Sequence, residues 1–272
     1  MYKKKSLGQH FLRSKAALAK IVEAARLSPD DTVFEIGPGE GALTELLLQK
    51  TGRVVAVEKD DRLMPVLKAK FAKEIASGKF ELVHADILNY ELGIMPARLY
   101  RSGGNYESRY KVVANIPYYI TGALIRRFLE SDIRPSMMVL LLQKEVVKRI
   151  VASDGRESIL SISVKVYGTP KYIGTVKAGA FSPPPKVDSA IIAIENISKD
   201  VFDTLACHLR ENDIERRFFV LLKKGFAHPR KLLSSNLCIT AEQLRACGIA
   251  EKARAENLSL ENWKCLFTIC IL

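Results

Sequence analysis

Apolar and polar positions along residues 15–195 alternate between two periods. Short runs that are apolar or β-branched on both faces predict strands covered by helices on two sides: Thr32 to Ile36, Arg53 to Val57, Phe80 to His84, Lys111 to Ala114 and Ser136 to Leu142. Between them, helical patterns run over Lys15 to Ala25, Ala42 to Gln49, Arg62 to Ala76 and Gly122 to Glu130. This order predicts an α/β domain built on a parallel sheet with crossover helices. Two later runs, Tyr172 to Val176 and Ala190 to Glu195, add strands at the sheet edge as a hairpin.

After Ile197 the strand pattern stops. Val201 to Arg210, Ile214 to Gly225, Arg230 to Leu237, Ala241 to Ala246 and Leu260 to Cys270 read as short helices, punctuated by Gly225, Pro229, Thr240 and Gly248. A boundary near residue 198 follows, with an α/β domain over 1–198 and a small all-α domain over 199–272. The polar, Gly-containing stretch Tyr100 to Tyr110 reads as a flexible insert between helix and strand.

Hydrophobic residues make up 48% of the 272 positions, enough for a proper core, and 16 Gly and 11 Pro argue against a disordered or low-complexity chain. The longest uninterrupted apolar run is Met137 to Leu142, far short of a membrane span. Lys3, Lys4 and Lys5 precede Ser6 to His10 rather than an apolar run, so no signal peptide is expected. Five cysteines, all after residue 206 and without C-x-x-C spacing, argue against structural zinc or a disulfide framework and for a reducing cytosol. Four scattered histidines offer little for a metal site, and no metal is expected.

Charge changes the picture more. Against 30 acids stand 42 Lys and Arg, a net +12, which suggests an anionic partner, nucleic acid or membrane surface. The excess is clustered. Lys3, Lys4, Lys5, Arg13, Lys15 and Lys20 face no acid in the first 20 residues, and Arg216, Arg217, Lys223, Lys224, Arg230 and Lys231 repeat the pattern. A solvated basic face is the plainer alternative.

Candidate chemistry begins at Phe34 to Gly41, where a strand runs into a glycine-rich turn that opens a helix. Such a turn lets backbone approach a ligand closely. Gly37, Gly39 and Ala42 also satisfy a relaxed dinucleotide fingerprint. Glu58 ends the second strand, where a carboxylate can accept hydrogen bonds from ribose hydroxyls; this suits NAD and S-adenosylmethionine equally. Asp86 ends the third, placed either to accept from an adenine amino group or to cap the following turn.

The fourth strand separates the two cofactors. It runs into Asn115-Ile116-Pro117-Tyr118, where the Asn115 side-chain oxygen and a main-chain carbonyl near Ile116 or Pro117 could hold both N–H bonds of an exocyclic base amine. Tyr118 offers a ring on which an unstacked base can lie. Phe181, stiffened by Pro183, Pro184 and Pro185, suits a second wall for that base; a rigid linker is the alternative.

In combination these residues resemble the universal small-subunit ribosomal RNA adenine N6-dimethyltransferase family. The likeness runs from Leu7-Gly8-Gln9-His10-Phe11-Leu12 through Glu35 to Gly41, Asn115 to Tyr118 and Phe181 to Ser189. It reaches Arg230 to Leu233 and Ala253 to Ser259 in the helical end. It implies a class I, Rossmann-like S-adenosylmethionine-dependent methyltransferase domain followed by a small all-α domain. It also implies dimethylation of two adjacent adenines near the 3′ end of 16S rRNA in the immature small ribosomal subunit during ribosome biogenesis, by a cytoplasmic monomer that engages no membrane.

By position, the resemblance gives His10, Leu12, Gly37, Gly39, Glu58, Asp86 and Asn115 to the cofactor. It gives Asn115, Pro117 and Tyr118 to catalysis and Tyr118 with Phe181 to the base. The helical domain and the basic residues Lys3, Lys4, Lys5, Arg216, Arg217, Lys223, Lys224, Arg230 and Lys231 would grip rRNA. Position 10 carries His where the family more often has Asn. The rivals are a large-subunit rRNA adenine methyltransferase of the macrolide-resistance kind, a non-catalytic RNA-binding relative, and a nicotinamide-dependent oxidoreductase.

Overall fold

The structure is a computed structural model describing residues 10–91, 110–152, 154–209 and 213–271. The stretch 100–109 read as an insert, and Lys3, Lys4 and Lys5, lie outside the described residues. The chain separates into two compact units, one of residues 1–147 with 171–197, the other of 148–170 with 198–272. A single cut at 198 misses that 148–170 joins the second unit.

The strands are β1 (Phe11–Leu12), β2 (Thr32–Ile36), β3 (Arg53–Glu58), β4 (Phe80–His84), β5 (Tyr110–Asn115), β6 (Met137–Gln143), β7 (Thr169–Val176), β8 (Phe181–Ser182) and β9 (Ser189–Glu195). Seven form one sheet in the order β4-β3-β2-β5-β6-β9-β7. The first five are mutually parallel and β9 runs antiparallel to β6. Val33, Val54, Val113, Val139 and Ile191, all fully buried, build the core with Leu47 and Ile21 from the covering helices.

The predicted edge pair is adjacent in the sheet, but its connection is not a tight hairpin. Between β7 and β9 the chain makes a 3-10 turn at Ala178–Ala180 and then β8, which pairs antiparallel with β1, Leu12 opposite Phe181. The helix expected over 62–76 divides into Met64–Lys70 and Ala72–Ala76. Phe71, at φ −112° and ψ 28°, interrupts it and turns its ring into the core.

Chain order reverses between β2 and β5: the chain leaves β2 toward β3 and β4 on one side and continues from β5 to β6 on the other. The crevice outside the carboxyl ends at such a reversal is where open α/β sheets bind ligands. Register aligns those ends, since Ile36 lies opposite both Val57 and Ala114, and Glu58 opposite His84.

The second unit is helical, with Ile159–Lys165, Asp200–Leu209, Ile214–Gly225, Leu233–Leu237, Ala241–Ala246 and Leu260–Ile271. Tyr167, Phe202, Phe218 and Phe267 pack ring on ring. The single Trp, Trp263, is fully buried against Gly225, where an added Cβ would stand 2.3 Å from the indole. One sequence expectation is overturned here. Cys247 and Cys265 form a disulfide, tying the end of Ala241–Ala246 to Leu260–Ile271, because folding brings together two cysteines whose 18-residue spacing carries no local signal.

Candidate active site

Four strand ends deliver the candidate residues to one cleft. After β2 comes the glycine turn, after β3 Glu58 and Lys59, after β4 Asp86, and after β5 Asn115 to Tyr119; His10 to Arg13 and Phe181 complete the lining. The residues singled out from sequence in this half, His10, Leu12, Gly37, Gly39, Glu58, Asp86, Asn115, Pro117, Tyr118 and Phe181, therefore share one cavity. Among the described residues no group of three or more His, Cys, Asp or Glu is placed to hold a metal ion.

The glycine turn depends on left-handed backbone. Gly41, at φ 78°, starts the helix Ala42–Lys50, and a Cβ there would stand 2.5 Å from the Phe71 ring. Gly39 donates its amide to Glu58 Oε2 at 3.2 Å, and Asp60 donates to Oε1 at 2.8 Å. Burial holds the Glu58 carboxyl above its usual range against these bonds. Its two oxygens are fixed by backbone donors at the floor of the cleft, the setting for a bidentate acceptor of vicinal hydroxyls.

Glu35 is the buried acid that sequence reading passed over inside its own motif. It is 1% exposed, lines the cleft, and accepts from Thr44 Oγ1 at 2.7 Å. Desolvation, reinforced by the nearby Glu58 charge, pushes its pKa up to about 8, so it is mostly the neutral acid at pH 7. Asp86 behaves oppositely. Lys59 Nζ lies 2.7 Å from its carboxylate and holds it below the usual range, while Leu88 donates its amide to Oδ1. Arg127 ties the same loop by donating to the carbonyls of Leu88, at 2.6 Å, and Tyr90.

Asn115 is oriented by the N-terminal segment. Its Nδ2 donates to the His10 carbonyl at 3.1 Å. That bond assigns the nitrogen and leaves Oδ1 as an acceptor that no protein donor takes among the described residues. The Pro117 carbonyl accepts from Ile120 N at 3.2 Å, closing the 3-10 turn Tyr118–Ile120. Of the two main-chain carbonyls considered from sequence, only that of Pro117 takes a backbone donor among the described residues.

Tyr118 is held from behind: its hydroxyl lies 2.7 Å from Oγ of the fully buried Ser189, and burial raises the phenol pKa. The ring beside it is that of His10, with centroids 6.2 Å apart and planes 25° apart. His10 Nδ1 in turn lies 2.8 Å from the Pro183 carbonyl. Phe181 is 5% exposed and belongs to the hydrophobic core as well as to the cleft wall.

The basic residues singled out in the helical end belong to the second unit. Arg216, Arg217, Lys223 and Lys224 are exposed along the helix Ile214–Gly225, whose opposite side buries Ile214, Phe218 and Leu222, and Arg230 and Lys231 are exposed in the following turn. Arg216 is paired with Asp213 at 3.3 Å.

Residues 1–271 match the family model described as ribosomal RNA adenine dimethylase. The chain is 42% identical over 269 residues to ribosomal RNA small subunit methyltransferase A of Dehalococcoides mccartyi strain CBDB1, covering 96% of this chain and 86% of that protein. It is 40% identical to the protein of the same name from Thermosynechococcus vestitus, over 97% of this chain and 95% of that one.

Among solved structures, the 23S rRNA methyltransferase ErmE superposes with a TM-score of 0.74 at 26% identity, over 94% of this chain and 98% of that one. A dimethyladenosine transferase from Plasmodium falciparum shares the fold, with a TM-score of 0.73 at 24% identity over 94% and 96%. The sheet with its antiparallel β9, the glycine turn at the reversal point and the helical second unit are those of a class I, Rossmann-like methyltransferase with an all-α companion. With sequence likeness running the length of the chain, they make it a member of the ribosomal RNA adenine dimethylase family.

Proposed function

We propose that this protein transfers methyl groups from S-adenosylmethionine to N6 of two adjacent adenines near the 3′ end of 16S rRNA in the immature small ribosomal subunit. The observation that carries the reading is the Asn115 amide. It is oriented by the His10 carbonyl, with Oδ1 taken by no protein donor among the described residues, in the cleft that Ile116, Pro117 and Tyr118 also line.

The cleft fits the donor. Glu58, with both oxygens oriented by backbone amides, accepts the ribose hydroxyls; Asp86 and the Ile87–Leu88 segment meet the adenine; Gly37 and Gly39 let the backbone approach, with His10 and Leu12 closing the near side. When bound, S-adenosylmethionine supplies a methyl group on a sulfonium sulfur, open to displacement by a nitrogen nucleophile.

The protein's own task is to make adenine N6 that nucleophile. Its lone pair is delocalised into the ring, so the amine is nearly planar and weak. Asn115 Oδ1 and the Ile116 carbonyl accept its two N–H bonds and hold it where the lone pair can turn toward the methyl group; Pro117 fixes the turn that presents both. Tyr118, braced by Ser189, and Phe181 confine the base. Asn115 is acceptor and orienter, not a base strong enough to deprotonate the amine, so the proton lost with each methyl addition passes to water.

The second unit, with Arg216, Arg217, Lys223, Lys224, Arg230 and Lys231 exposed, and the N-terminal Lys3, Lys4 and Lys5 grip rRNA phosphates. The protein works as a monomer in the cytoplasm. A large-subunit substrate is the second reading, favoured by the likeness to the 23S enzyme; the higher identity to small-subunit enzymes supports the first. Transfer of labelled methyl to unmethylated small subunits, with large subunits in parallel, tests the choice. Label in the small subunit alone is expected, and label in the large subunit alone would overturn it.

A further inference from the structure

Tyr119 is the most exposed large apolar side chain among the described residues, 64% open to solvent, yet it stands in the lining of the cleft rather than on an outlying surface. Its neighbours in the same 3-10 turn are committed: Tyr118 to Ser189 and Ile120 to the core. Among the described residues no hydrogen bond or ring contact engages the Tyr119 ring, and Lys59, which interacts electrostatically with it, has its ammonium paired with Asp86.

An aromatic ring left in water at a catalytic mouth costs hydration of its faces without gaining packing, so its use lies in what the mouth receives. The substrate arrives as a polynucleotide. When one base leaves its stack to enter the cleft, its neighbour loses one stacking face and remains covalently tethered a few ångströms outside.

We propose that Tyr119 is a stacking platform for the nucleobase adjacent to the adenine being methylated. This rests on the rRNA adenine reading above, and for a pair of adjacent adenines the base on Tyr119 is the partner adenine waiting its turn. Pro117 and the turn closed by Ile120 N to the Pro117 carbonyl fix the platform relative to Asn115, so holding the neighbour also sets how far the target base reaches into the cleft. Tyr119 is thus a positioning residue for RNA.

The test measures methyl transfer to unmethylated small ribosomal subunits by wild type, Tyr119→Ala, Tyr119→Leu and Tyr119→Phe. KM is obtained separately for subunits and for S-adenosylmethionine. Loss of the ring in the Ala and Leu variants is expected to raise the subunit KM roughly tenfold, the scale of one base–aromatic stack, with the donor KM unchanged. Tyr119→Phe, which keeps the ring, is expected to restore the subunit KM to within about threefold of wild type. Equal subunit KM for wild type and Tyr119→Ala would overturn the inference while leaving the enzyme's function intact. So would a Leu variant as good as Phe, which would make bulk rather than the π-face the requirement. A parallel rise in donor KM would place Tyr119 in the donor site instead. Absence of transfer by wild type would overturn the functional reading, and this inference with it.

Discussion

Glu35→Gln isolates a titration that the fold imposes on a single carboxyl. The substitution keeps the size of the side chain and an oxygen to accept from Thr44, but removes the ionisable proton. In the unfolded chain this carboxyl titrates near 4.5, and in the folded protein at about 8, driven by desolvation, reinforced by Glu58, and opposed by Thr44 and Lys70. A folded pKa raised above the unfolded one means the native state binds the proton more tightly. The associated stability is fully present below pH 4.5 and is lost as pH rises through about 8.

At about 1.4 kcal/mol per pH unit, wild type loses of order 3 kcal/mol by pH 7 and of order 5 kcal/mol by pH 9 relative to its value well below pH 4.5. Glu35→Gln loses none of this. Urea unfolding of both proteins from pH 5 to 9 gives the comparison, because the surface carboxylates titrate in both and cancel in the difference, leaving Glu35 with its coupling to Glu58. The variant should gain steadily on wild type across that range. Parallel stability curves would refute the claim that Glu35 is a buried neutral acid.

Three further outcomes are expected. Asn115→Ala should lower kcat by roughly 100-fold or more, the scale for losing one oriented group at the reacting centre, while subunit binding measured by filter retention stays close to wild type; joint loss of both would contradict its role. Gly41→Ala combines left-handed backbone with a Cβ 2.5 Å from Phe71, whereas Gly78→Ala meets nothing within 4 Å at φ +74°. The first should cost about 2–4 kcal/mol in urea unfolding and the second about 1–2, and equal costs would refute the packing argument. Replacing Arg216, Arg217, Lys223 and Lys224 together by Ala should weaken RNA binding and flatten its dependence on log salt concentration; an unchanged slope would make this helix a solvated face.

The strands were legible because parallel strands buried on both faces leave uninterrupted β-branched runs, as in Arg53 to Val57 and Ser136 to Leu142. The glycine turn, Glu58, Asp86 and Asn115 to Tyr118 were legible because each lies at or just after a strand end, and the strand order brings those ends together. Local pattern could not reveal β1 and β8, two residues each, whose pairing joins Phe11 to Ser182 across most of the α/β unit. The helices Lys144–Val151 and Ile159–Lys165 were passed over between more regular elements, and with them the assignment of 148–170 to the helical unit. The brace from Ser189 to Tyr118 and the burial of Glu35 are products of packing: one joins residues 71 apart, the other depends on what covers β2. The Cys247–Cys265 bond belongs to the same class, a juxtaposition made by two helices.

If the Asn115 cleft acts as proposed, N6 of adenine is methylated twice over at neighbouring positions of the small-subunit RNA. The most direct test of that action is mass spectrometry of nuclease fragments from 16S rRNA after incubation of unmethylated small subunits with the protein and S-adenosylmethionine. Two adjacent N6,N6-dimethyladenosines are expected in one fragment near the 3′ end, absent with Asn115→Ala. Methylation on another base, at another atom of adenine, or undiminished in the Asn115 variant would contradict it.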